Sequence, residues 1–87
     1  MAKKKVLFQI GKIVSICRLE KNGYTDEGKI IFLENQSSFT VKITKSHDKE
    51  TLKKEIKFIF VNNIWRYVSE GGTYSKRDCG YEIKIIS

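Results

Sequence analysis

The chain has 87 residues, 40% of them hydrophobic and 31% charged, and its 17 Lys and Arg outnumber 10 Asp and Glu for a formal net charge of +7. A chain this short buries only about 60 to 65% of its unfolded surface, which excludes a second core and a large enclosed pocket, while its apolar share excludes a disordered protein. No run approaches the roughly 18 apolar residues of a membrane span.

Residues 1–87 are therefore expected to form one domain, as a monomer or a small homo-oligomer. Residues 1–4 begin a basic tail, and the apolar run after Lys5 breaks at Gln9, Gly11 and Lys12, too early for a secretory signal. The pattern from 5 to 19 predicts one long strand bent at Gly11, or two in sequence, since a lone Gly inside a strand pattern marks a bend. Residues 21–28, rich in Asn, Asp and Gly, predict a turn, followed by a strand over 29–34 and a turn over 35–38. Residues 39–45 alternate cleanly, with Phe39, Val41 and Ile43 on one face and Thr40, Lys42 and Thr44 toward water.

The period then changes. Ser46 and Asp48 are cap candidates and Glu50 stands four residues before Lys54, a favourable helical pair, so a short helix is predicted near residues 47–54. Residues 55–68 predict a hairpin turning at Asn62 and Asn63, both tolerant of positive φ. That turn pairs Phe60 with Trp65 and Phe58 with Tyr67, and puts Phe58 and Phe60 in the core. Residues 70–80 predict a flexible loop, and the chain ends in a strand carrying Tyr81, Ile83 and Ile85 on one face. The expected fold is mainly β: a small antiparallel β-barrel or sandwich, OB-like or SH3-like, with the helix between its third and fourth strands.

Catalytic patterns are scarce. None of the GxSxG, HExxH, P-loop or GxGxxG motifs occurs, so no enzyme, metal site or cofactor is expected. His47, the single histidine, falls in a charged segment suited to capping, and Asp48 with Glu50 reads as a solvated face among lysines. A metal-independent ribonuclease built from Tyr74, Lys76, Arg77, Tyr81 and Glu82 is the one enzyme reading the residues allow. Cys17 and Cys79 have neither metal nor redox spacing, which predicts reduced thiols and a cytoplasmic protein.

The functional signal is the interleaving of basic and aromatic residues on strands, the composition that single-stranded nucleic acid requires of its binders. A noncatalytic nucleic-acid-binding module is expected, with Lys12, Lys29, Lys42, Lys57, Arg66, Lys76 and Arg77 on phosphates and Trp65, Tyr67 or Tyr74 stacking on bases. DNA and RNA are equally compatible. The alternative is a small inhibitor or adaptor, of the kind mobile elements encode, that docks an acidic protein surface or adds a strand edge to its partner.

Overall fold

The computed structural model describes residues 7–19, 23–68 and 80–87. They form a closed antiparallel barrel of six strands: β1 (Ile13–Arg18), β2 (Thr25–Asn35), β3 (Ser38–Lys45), β4 (Glu55–Val61), β5 (Ile64–Val68) and β6 (Tyr81–Ile85). Each strand pairs with its neighbour in the chain and β6 returns to β1, so the order is sequential all the way round. Tyr74, Lys76, Arg77 and Cys79, the tail at 1–4 and nearly all of the 70–80 loop lie outside the described residues.

The core follows from period-two alternation on a surface closed on itself. Val14 and Ile16 of β1, Ile30 of β2, Phe39, Val41 and Ile43 of β3, Phe58 of β4, Trp65 of β5 and Ile83 of β6 all point inward and are buried. The β4–β5 hairpin has the predicted register, Phe60 opposite Trp65 and Phe58 opposite Tyr67, with Asn62 at φ 54° and Asn63 at φ 66°. Both turn residues are left-handed, as a type I′ turn demands. Asn63→Gly should leave the melting temperature unchanged or slightly higher, and Asn63→Val should cost about 1 kcal/mol, because a β-branched residue resists positive φ; equal thermal melts for the two variants would overturn the assignment.

The predicted helix is absent. Residues 46–54 form consecutive turns: Asp48 C=O accepts from Thr51 N–H (3.0 Å), and Thr51 C=O accepts from Lys54 N–H (3.1 Å). Asp48 does cap, but it caps a turn, its carboxylate accepting from Glu50 N–H (3.0 Å) and the Thr51 hydroxyl (3.2 Å). Lys53 then swings to φ 68° and its N–H donates to Ile43 C=O (2.8 Å), while Ile43 N–H donates to Lys54 C=O (2.9 Å). Two backbone bonds onto the end of β3 outweigh a two-turn helix with few apolar anchors.

Two further boundaries moved. The first strand begins only at Ile13, since Gly11 at φ 95° turns the chain; just before it Gly11 N–H donates to Ile30 C=O (2.8 Å) and Lys12 C=O accepts from Ile30 N–H (2.9 Å). There the Gln36 side-chain amide takes the place of a neighbouring strand, its Oε1 accepting from Phe8 N–H (2.7 Å) and its Nε2 donating to Phe8 C=O (2.8 Å). The segment over 21–28 gives way to β2 at Thr25, and Gly28 is a strand residue pressed against β3: a Cβ built on it would lie 2.2 Å from Val41 Cγ1 and 2.8 Å from the Lys42 carbonyl oxygen.

The barrel thus has two unlike ends. The tight turns at 36–37 and 62–63 share one end, where the Phe8 ring lies 4.8 Å from Phe39 and 5.5 Å from Trp65 and covers the core. The strand ends that flank 19–24, 46–54 and 69–80 all lie at the other.

Candidate nucleic-acid interface

Four of the predicted phosphate contacts share the outer surface of β2 to β5. Lys29 stands directly opposite Lys42, which stands opposite Glu55; Thr40 is opposite Lys57, and Ile59 is opposite Arg66. From Lys42 the next cation, Lys57, is one strand over and two residues along, and Arg66 repeats the step. Adjacent strands lie about 4.8 Å apart and diagonal neighbours about 7 to 8 Å, so the four form a staircase with steps of roughly 5 to 8 Å across the barrel wall. Like charges directly opposite each other oppose sheet formation.

Three acids temper this surface: Glu27, 3.8 Å from Lys45 Nζ and two residues before Lys29 on β2, and two beside the staircase itself. Glu34 accepts from the Ser38 hydroxyl (2.9 Å) and its carboxylate is 3.5 Å from Lys57 Nζ. The Ser38 hydrogen bond, followed by the Lys57 charge, holds the Glu34 carboxyl below its ordinary range. The other is Glu55, across from Lys42.

The ring that accompanies the staircase is Phe32, 59% exposed and paired with Thr40 between Lys42 and Lys57. Ile30 pairs with Val41 and Phe32 with Thr40, which leaves Ile31 as an extra residue on β2. Such a bulge shifts the alternation by one. Without it Phe32 would share the inward face of Ile30; with it Phe32 faces out and Leu33 packs on the core.

The predicted stacking residues fare differently. Trp65 is a core residue, 6% exposed and covered by Phe39 (4.7 Å), Phe60 (5.2 Å) and Phe8, so its ring has no face open to a base. Of the Phe pair expected inside, Phe58 is buried and Phe60 is partly exposed at the end of β4. Tyr67 is 41% exposed but points inward at the loop end, on the opposite side of the sheet from the cations. Lys12 is half-buried before β1, its carbonyl accepting from Ile30 N–H (2.9 Å), and lies off the staircase. Of the ribonuclease set, only Tyr81 and Glu82 are among the described residues: Tyr81 faces inward against Phe58 (5.4 Å), while Glu82 faces out and pairs with Lys84 at 2.8 Å.

The loop end is concave. Arg18, Tyr24, Asp26, His47, Tyr67 and Tyr81 line it, and the same concavity continues past the end of β4 to Thr40, Lys57 and Val68 on the outer surface. His47 stacks on Tyr24 with ring centroids 3.8 Å apart and planes 18° from parallel, and its Nδ1 lies 3.5 Å from Asp26 Oδ1. That carboxylate oxygen is buried and accepts no hydrogen bond. Cys17 carries a free, half-buried thiol. Among the described residues no His, Cys, Asp and Glu cluster could hold a metal ion.

Fold and surface together define a small closed antiparallel β-barrel with a cationic outer wall and an aromatic mouth. No protein-family model, curated protein or solved structure matched the chain.

Proposed function

We propose that the protein binds single-stranded nucleic acid on the outer wall of β2 to β5, without chemistry at that surface. The observation that carries the reading is the Lys29 and Lys42 pair: two cations set directly opposite each other on a wall where they repel, with Lys57 and Arg66 continuing the line. A phosphate backbone resolves that repulsion and releases its own counterions. Phe32 beside the line supplies a flat ring for a base, a contact worth about 1 to 3 kcal/mol.

The test is a titration of labelled mixed-sequence oligonucleotides at several salt concentrations. Lys29→Ala with Lys42→Ala should weaken binding about tenfold at 0.1 M salt and make the log-log salt slope shallower by about 1.4 units, two contacts at roughly 0.7 each on single strands. Phe32→Ala should weaken binding with the slope unchanged, and all three substitutions should leave stability within about 0.5 kcal/mol, since the residues are exposed. Absence of binding at low salt, or a slope the double variant does not alter, would refute the proposal.

One observation favours the second reading, a protein partner. Among the described residues β5 and β6 join through a single pair, Trp65 with Tyr81, which leaves short lengths of both strands where a partner strand could add.

A further inference from the structure

The loop end of the barrel is a second, distinct surface. The described tyrosines, Tyr24, Tyr67 and Tyr81, all line it, whereas the phenylalanines Phe8 and Phe39 and the one tryptophan crowd the opposite end. An aromatic core needs no hydroxyls. Rings with a polar edge belong where one side is apolar and the other wet.

The rim also carries a ring pair. Tyr24 is 58% exposed and the His47 side chain 49%, yet the two rings are stacked face to face. The imidazole Nδ1 also lies 3.5 Å from Asp26 Oδ1, so a ring on the 46–54 connection sits against β2 of the barrel wall. A ring already stacked on a neighbour has less freedom left to lose when a ligand covers it. Tyr67 faces the same hollow from β5, next to the apolar floor made by Phe58 and Ile16.

We propose that this mouth receives one unstacked base of the strand whose phosphates lie on the staircase. The inference rests on the proposed function, and the continuity of the two surfaces carries it. The concavity that holds Tyr24, His47 and Tyr67 reaches Lys57 and Val68 on the outer wall, so a chain following the cations arrives at the mouth. A base entering there exchanges water for the rings, a contact every base can make because every base has a flat face.

An abasic scan tests this. Each base of a ten-residue oligonucleotide is removed in turn, and affinity for the full-length protein is measured. Two positions should each lose about tenfold and the others less than twofold. In Phe32→Ala protein one of the two should become insensitive, and in Tyr67→Ala protein the other. His47→Ala should weaken the same position as Tyr67→Ala, and Tyr67→Phe should keep its sensitivity, which guards against a Tyr67→Ala variant that is merely unstable. A profile in which no position answers to Tyr67 or His47 would overturn the mouth, even where binding still depends on salt and on Lys29 and Lys42. If the intact oligonucleotide does not bind at all, the outer-wall reading falls and this inference with it.

Discussion

Trp65→Ala is expected to destabilise the protein by about 3 to 5 kcal/mol, the cost of deleting a buried Trp or Phe side chain. The ring is 6% exposed and is the meeting point of Phe8, Phe39 and Phe60, so its loss leaves a cavity on which three other rings abut. A domain of this size has about 4 to 13 kcal/mol in total, at about 0.05 to 0.15 per residue. At roughly 4 to 8 °C per kcal/mol, the melting temperature should fall by about 12 to 40 °C. Circular dichroism is the right probe, since the substitution removes the only tryptophan. Trp65→Phe should recover most of the loss. If Trp65→Ala instead cost under about 1 kcal/mol while abolishing oligonucleotide binding, the ring would be a platform after all, and the packing described above would be wrong.

Gly28→Ala should be nearly as damaging, at about 3 kcal/mol, although it adds a single methyl group. That methyl meets Val41 Cγ1 at 2.2 Å and the Lys42 carbonyl oxygen at 2.8 Å. The first obstacle is a side chain and can be removed; the second is backbone held in the β2–β3 ladder and can move only by distorting it. Overpacking of this kind costs about 1 to 3 kcal/mol, and occasionally more. Combining Gly28→Ala with Val41→Ala should therefore lose less than the two single losses added together, yet not return to the Val41→Ala value. Denaturant melts of the four proteins measure this, and strict additivity would mean that the β2–β3 approach is looser than described.

Sequence reasoning misplaced both of these residues, although it read much of the wall around them. The β4–β5 hairpin could be read residue by residue, because a two-residue turn of Asn62 and Asn63 fixes the register of everything beyond it. The alternation of Phe39, Val41 and Ile43 was equally legible, since one face of β3 is buried along its whole length. Gly28 was not, because turn chemistry and close strand approach select the same residue, and only the position of Val41 tells them apart. The segment over 47–54 carries helical caps and a helical charge pair, but its backbone bonds go to Ile43, a residue the local pattern cannot see. The cations of the staircase could be named from the sequence, whereas their alignment depends on pairings across four strands. Phe32 was missed for a sharper reason. An apolar run with no alternation, Ile30 to Leu33, gives no sign of which residue is the extra one.

The sequential order of the strands bears on how the chain reaches this state. Between β1 and β5 each ladder joins neighbours in the chain, so each of those hairpins can zip locally at small entropic cost. The β1–β6 ladder is different: it brings Val14 to Ile85 and Arg18 to Tyr81, spanning most of the chain. A contact that long cannot repay its closure entropy until the intervening strands have already shortened the path, so the ring closes after its staves are formed. A ladder completed after the transition state contributes little to it, so substitutions that weaken β6 should act chiefly on how quickly the finished ring reopens.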